Sequence, residues 1–322
     1  MTRLIVLTDS NYIEPAFVTI LSIAAQFIQN VFVTLIYLAG NEDDANSNEE
    51  SFRLIQRFEK LLKIEYPELN FSSIILHSSY FLEFERYHFN RSNLQKLTFP
   101  EIFREEKTCI SIDAGMILGK ELKVLLEEIS SDEQFTVKAF TKCSDECMPK
   151  NQKRFKRNKY YPAGGILAFN NNNYMKANIL NRLVSGFEIF RSDLIYPEQD
   201  LMCLTLIDNE LKAFNHKFKY FNIDMTDQEN WSKFRINEYK NLYIEKDFLY
   251  MKHIGSFKPW HKWVLNPIKS IYLNEISKSI DKFGVIFNDK LLQDKHQYFN
   301  EKLIHYLNPQ LDLLKKYCLT IE

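Results

Sequence analysis

Residues 4–38 read LIVLTDSNYIEPAFVTILSIAAQFIQNVFVTLIYL. Leu4 to Thr8 is a short apolar run with the composition of a buried strand, and the polar cluster Asp9-Ser10-Asn11 ends it. Pro15 suits the first turn of a helix, where its missing N–H costs nothing, and Ala16 to Gln29 carry the helical pattern. Val31 to Leu38, rich in β-branched and aromatic residues, predicts a second strand. Strand, helix and strand in succession make a βαβ unit, which predicts a parallel sheet covered by helices.

The pattern continues outward from that unit. Gly40 to Asn48 reads as a polar loop, and Ser47 with Glu50 reads as a capping box before a helix running to about Tyr66. Phe71 to Leu76 predicts a third strand, and Ser92 to Phe103 a helix despite Pro100. Thr108-Cys-Ile-Ser-Ile-Asp113 has the form of a buried strand whose carboxylate emerges at its C-terminal end. Leu122 to Glu128 is a short helix or strand, and Phe135 to Phe140 another strand. Lys142 to Lys159 loses the apolar pattern and concentrates basic residues. Tyr160 to Phe169 returns to strand character, and Asn170 to Asn173 terminates it. Helices are expected over Tyr174 to Phe190 and Glu198 to Leu211, with shorter strands within Ala213 to Ile223 and over Phe248 to Ile254. The expected organisation is an α/β domain over residues 1–265 and a C-terminal helical extension over 266–322.

Composition narrows the function. The chain has 322 residues, 45% of them hydrophobic, which suffices for one large core without disulfides or structural metal. Lys and Arg number 41 against 42 Asp and Glu, so no whole-protein field favours a polyanion such as nucleic acid. The longest apolar candidate, Ala16 to Ile28, falls short of the roughly 18 residues of a spanning helix and contains Thr19, Ser22 and Gln26. Asp9, Asn11 and Glu14 interrupt the place where a secretory signal would be apolar. Five scattered cysteines, at 109, 143, 147, 203 and 318, predict reduced thiols.

In open α/β sheets, ligands bind beyond the carboxyl ends of the strands. Asp9-Ser10-Asn11, Asp113-Ala114-Gly115 and Glu198-Gln199-Asp200 place polar groups there, and His253-Ile-Gly255-Ser-Phe-Lys258-Pro-Trp260 adds an imidazole, a glycine, a cation and an aromatic ring. Asp113 has the strongest claim to function, since an ionised carboxylate leaving an apolar strand needs partners or a ligand. No Walker loop, G-x-G-x-x-G, H-E-x-x-H or G-x-S-x-G occurs.

The order of these segments, over roughly residues 3–263, resembles the retaining glycosyltransferases of family eight, the group of glycogenin and the bacterial lipooligosaccharide galactosyl- and glucosyltransferases. The resemblance lies in Leu7-Thr-Asp-Ser-Asn-Tyr12, the Lys96-Leu97 helix, Ile112-Asp-Ala-Gly115, Tyr161-Pro-Ala-Gly164, Glu198-Gln-Asp200 and His253 to Trp260. It implies a GT-A fold with a mostly parallel or mixed central sheet flanked by helices. It also implies transfer of a hexose from a UDP-sugar, with retention, to a cell-envelope (lipopolysaccharide-type) or protein-linked glycan acceptor. The acceptor hydroxyl would attack from the face that UDP leaves.

Residue by residue, the resemblance places Asp9 and Asn11 near base and ribose, and Lys96 where an arginine is usual. Asp113 falls on the first carboxylate of the aspartate-x-aspartate motif and His253 on the third protein ligand of the metal, for Mn²⁺ or Mg²⁺. Gly255 and Lys258 fall at the diphosphate, while Glu198 and Gln199 flank the donor's reactive carbon, Glu198 in place of an aspartate. Gly115 stands where the motif has its second carboxylate, Pro162 replaces an asparagine, and Cys203 occupies a frequent asparagine position. Gly115 leaves three readings open: a weakened metal site on Asp113 and His253, charge supplied by Lys258 with a residue from Lys153 to Lys159 and the metal dispensable, or binding without catalysis, as in a partner-activating subunit. The resemblance further suggests a cytoplasmic protein, with peripheral membrane contact and association with a second copy or a partner glycosyltransferase left open.

Overall fold

The computed structural model describes residues 2–10, 12–26, 28–39, 45–76, 91–147, 153, 156–224, 241 and 244–254, with the backbone alone at 45–47, 91, 92, 224, 253 and 254. Asn11, Gly255, Lys258, Trp260 and the expected helical extension over 266–322 lie outside these residues, as does the side chain of His253.

The first half alternates as its sequence pattern requires. It runs β1 (Thr2–Thr8), α1 (Ile13–Ala24), β2 (Val31–Leu38), α2 (Ala45–Glu65), β3 (Asn70–Leu76), α3 (Arg91–Gln95), a 3₁₀ turn (Lys96–Thr98), α4 (Phe99–Ile102), β4 (Thr108–Asp113) and β5 (Ile117–Leu118). The second half contains α5 (Leu122–Ser131), β6 (Val137–Cys143), α6 (Ser144–Cys147), β7 (Tyr160–Asn170), α7 (Asn171–Lys176), α8 (Ile179–Phe190), α9 (Pro197–Thr205), β8 (Leu211–Ala213), β9 (Tyr220–Asp224) and β10 (Tyr250–Ile254).

Seven strands form one sheet in the order β3-β2-β1-β4-β7-β6-β8, and β5-β10-β9 form a small second sheet. Strands β3, β2, β1 and β4 are mutually parallel, whereas β7 runs antiparallel to both β4 and β6. Both faces of the large sheet are covered. Leu4, Val6, Val33, Leu35, Ile110 and Ile112 pack on one side with residues of α1, α2 and α5, while Ile5, Leu7, Cys109, Leu167 and Phe169 pack on the other with residues of α8 and α9. Two-sided burial is why these strands read as continuous apolar runs rather than alternating ones.

Four expected boundaries differ. The helix expected over Glu198 to Leu211 ends at Thr205, because the chain turns extended at Leu206 and Leu211 already begins β8. Helix α1 stops at Ala24 instead of Gln29, because Asn30 takes the left-handed conformation (φ 61°) that turns the chain into β2. Helix α2 starts at Ala45, so Ser47 lies inside its first turn and does not cap it. The helix expected over Tyr174 to Phe190 is two helices, divided at Asn178 (φ 52°); the first is capped by the Asn170 side chain, which accepts from Asn173 N–H at 3.1 Å.

Thr19, Ser22 and Gln26, the polar residues inside the apolar stretch of α1, tie it to the turn after β4. Gly115 N–H donates to Pro15 C=O at 3.1 Å and Thr19 Oγ1 at 2.9 Å, Leu118 N–H to Ser22 Oγ at 3.0 Å, and Gln26 Nε2 to Leu118 C=O at 3.4 Å. Gly115 itself has φ 85°, which disfavours any side chain there. Among the described residues no helix is long and apolar enough to cross a membrane.

Candidate active site

Strands β1 and β4 lie side by side in register, with Leu7 opposite Asp113. The chain leaves β1 toward β2 and β3 on one side, and β4 lies on the other, so the strand order reverses here. A crevice opens at such a switch point, beyond the carboxyl ends of the strands. Asp9 lies just beyond the end of β1 and Asp113 is the last residue of β4.

Asp113 is held by two lysines. The Lys96 ammonium bonds Oδ1, and the Lys252 ammonium, from β10, bonds Oδ2. Lys96 is only 3% exposed and also donates to the Gly164 carbonyl at 3.2 Å; Lys252 is 26% exposed. Burial would raise the Asp113 pKa, but the neighbouring Lys252 and Lys96 charges overcome it and hold the carboxyl below its usual range. Burial would conversely lower the Lys96 pKa, and the charges of Asp113 and Glu198 outweigh it and keep the ammonium protonated.

The glycines of β7 make room for these groups. Ala139 pairs with Leu167 but Phe140 with Ala163, so Gly164-Gly165-Ile166 bulge from the ladder with β6, while Ile166 still pairs with Ile112 of β4 and the two glycines lie beyond that last pair. A Cβ on Gly164 would lie 2.3 Å from Glu198 Oε1, and one on Gly165 would lie 3.4 Å from Lys252 Nζ. Pro162 is accommodated because β4 has already ended and no strand on that side needs its missing N–H.

Glu198 comes from the first turn of α9 and is 3% exposed. Gln199 Nε2 donates to its Oε1 at 3.4 Å, while its buried Oε2 has no hydrogen-bond partner among the described residues. A buried carboxylate oxygen lacking a donor is costly, unless a ligand supplies one. Asp200, beside them, serves the fold. Its Oδ2 accepts from Ile195 and Tyr196 N–H at 2.7 and 3.0 Å, and its Oδ1 from the Tyr161 hydroxyl at 2.7 Å. These bonds set the start of α9 and thereby aim Glu198.

Asp113, Lys96, Glu198 and Gln199 are therefore brought together. Asp9 approaches them through Tyr12, whose pKa is raised by burial and then by the Asp9 and Asp113 charges. Tyr12 still exposes 36% of its surface. The His253 backbone pairs with Ile223 on β9, next to Lys252. Cys203 is not at the chemistry: its buried Sγ–H donates to Asn158 C=O at 3.5 Å, and burial pushes the thiol up to about 12. In the basic loop, Lys153 and Lys156 are both bonded to Asp145. The site residues that sequence reasoning missed are Lys252 and Tyr12. The one signal for Lys252 was a charge inside an apolar strand, directly before the histidine.

A divalent cation does not fit the described residues, which do not include the side chain of His253. Both Asp113 oxygens already accept from ammonium groups, and among the described residues no cluster of three His, Cys, Asp or Glu side chains could hold a metal. At about 4 Å and an effective dielectric of about 20, a dication gains on the order of 8 kcal/mol from one carboxylate and loses about as much to each ammonium.

A two-sided α/β sheet with a charged crevice at its switch point, joined to a small second sheet, has GT-A architecture. The chain belongs to glycosyl transferase family 8, whose sequence model matches residues 3–264, and the family transfers sugars from nucleotide-sugar donors. Among solved structures it is similar to the galactosyltransferase LgtC in complex with donor and acceptor sugar analogs, with 15% identity, a TM-score of 0.59, and coverage of 85% of this chain and 95% of that one. It is also similar to the glycosyltransferase GlyE of Streptococcus pneumoniae TIGR4, at 14% identity and a TM-score of 0.55, covering 86% of this chain and 64% of that one. The bifunctional glycosyltransferase WbbM matches with 17% identity and a TM-score of 0.56, over 85% of this chain and 49% of that one. A search of curated proteins finds no match.

Proposed function

We propose that this chain transfers a hexose from a UDP-sugar, with retention of configuration, to a glycan of the cell envelope or of a protein. The observation that carries this reading is Glu198. Its unpartnered Oε2 is buried beside Gln199 and close enough to Lys96 to act on its charge, so it faces the place where a neutral ligand rich in hydroxyls would supply the missing donor.

The remaining groups suit the rest of a nucleotide sugar. Tyr12, half-open beside Asp9, offers a flat surface for the base, and Asp9 an acceptor for its N–H or for ribose hydroxyls. The Asp113–lysine cluster lies where the diphosphate would bridge base and sugar. In the reaction, the bond from the anomeric carbon to the diphosphate oxygen breaks and its electron pair stays with that oxygen. The acceptor hydroxyl bonds the same carbon from the same face, and its proton passes to the departing diphosphate. No side-chain base is needed. Glu198 binds donor hydroxyls and Gln199 positions the reacting sugar, an arrangement sensitive to displacements of about 1 Å.

The test is calorimetric titration with UDP and a panel of UDP-hexoses, followed by donor hydrolysis and transfer, on the natural chain and on Glu198→Gln. The expected result is sugar-dependent affinity that the variant loses while its affinity for UDP stays within about threefold. Equal affinity for UDP and every UDP-hexose in both proteins would refute the role of Glu198. Gly115 favours a second reading, a subunit that binds nucleotide sugar without turning it over; binding without hydrolysis or transfer would establish it.

A further inference from the structure

We propose that Lys252 stands in for the divalent cation of the donor site, its ammonium neutralising the donor diphosphate, so that this chain binds nucleoside diphosphates without metal. The inference rests on the donor-site reading above and specifies its electrostatics. It follows from where the positive charge is held, what holds it there and how much of it is available.

Lys252 Nζ bonds Asp113 Oδ2, the carboxylate oxygen left over after Lys96 takes Oδ1. An ammonium has three N–H donors. Lys96 uses two, on Asp113 and the Gly164 carbonyl, and is 3% exposed, so it has little left to offer a ligand. Lys252 spends one on Asp113 and remains 26% exposed, which leaves donors that phosphate oxygens can reach.

The ammonium is delivered by a strand rather than by a loop. β10 is paired on one side with β9 and on the other with β5, and the chain just before it is bonded to the turn after β5, Gly119 N–H donating to Leu249 C=O at 2.9 Å. The approach is so close that a Cβ on Gly119 would lie 2.1 Å from Phe248 O.

Charge counting links Lys252 to Gly115. With the Lys96 charge counted in both cases, two carboxylates and a dication leave one net positive charge, and Asp113 with Lys252 leaves one as well. A glycine at 115 together with an ammonium at 252 thus gives the crevice the same charge that a second carboxylate and a dication would give it. Lys153 and Lys156 do not compete for the part, since Asp145 engages both.

The experiment uses the full chain, with UDP as the probe. UDP affinity is measured by calorimetry in chelator and in Mn²⁺, and Mn²⁺ uptake by electron paramagnetic resonance, on the natural protein, Lys252→Met and Lys252→Arg. The expected result is UDP affinity equal within about twofold in chelator and Mn²⁺, no Mn²⁺ bound without nucleotide, a loss of about tenfold or more in Lys252→Met, and recovery in Lys252→Arg. Melting curves for both variants separate loss of charge from loss of fold, and Lys252→Arg alone still carries the test if Lys252→Met does not fold. Mn²⁺ strengthening UDP binding by about tenfold or more, or Lys252→Met binding UDP as the natural protein does, would overturn the inference while leaving the donor-site reading intact. Failure of UDP and every UDP-hexose to bind under any condition would overturn both.

Discussion

Asp113 carries two burdens, one toward ligand and one toward the fold. It is the only carboxylate bonded to both Lys96 and Lys252 among the described residues. Asp113→Ala therefore leaves a nearly buried ammonium facing a second one. Removing one partner of a buried pair costs on the order of 3–5 kcal/mol. Chemical denaturation of the variant should show a loss of that size, and Asp113→Ala combined with Lys252→Met should recover part of it by removing one of the two facing charges. Unchanged stability in the single variant would mean that the cluster is solvated and contributes nothing to folding. Asp113 was legible in the sequence because a carboxylate at the end of an apolar strand has few innocent explanations. Lys252 was not, since a lysine within a strand ordinarily marks a solvent-facing position, and only the pairing of β10 turns it toward Asp113.

At the scale of elements, the join between α5 and β6 also depends on a buried lysine. Lys138, 1% exposed, bonds Glu128 Oε1 at 3.1 Å and Asp132 Oδ2 at 2.8 Å, and Glu128 further accepts from Asn215 and His216 N–H at 2.8 and 3.0 Å. Burial works to raise the Glu128 pKa, but these donors and Lys138 hold it lowered; Asp132 is lowered likewise, against its burial, by its bonds to Lys138 and Gln134. A carboxyl whose folded pKa lies below its unfolded value, about 4.3 for Glu, stabilises fully above that value and loses its contribution as pH falls through the folded pKa. Stability should accordingly decline below about pH 4.3, and Glu128→Gln should lower stability at neutral pH while flattening that acid decline, as read from denaturation midpoints at several pH values. An identical acid slope in the variant would locate the dependence elsewhere. Element types followed from periodicity, and the boundaries that moved did so at particular residues: Asn30 and Asn178 adopt left-handed conformations, which asparagine tolerates but does not announce.

For the molecule as a whole, the helices that cover the two faces of the seven-stranded sheet among the described residues all precede residue 206. We expect a chain ending at residue 265 to keep a cooperative thermal transition and to bind UDP with unchanged affinity, as measured by calorimetry; failure to fold would assign part of the core to 266–322. The sequence by itself determined the alternation of strands and helices, their burial on both faces and the polar residues at the strand ends, because periodicity and local composition act over a few residues at a time. Only the tertiary structure decided that Lys96, Asp113, Glu198 and Lys252 meet. Their encounter depends on strand order, on the bulge at Gly164-Gly165 and on the docking of β10, which are set by contacts between segments far apart in the chain and leave no periodic trace in it.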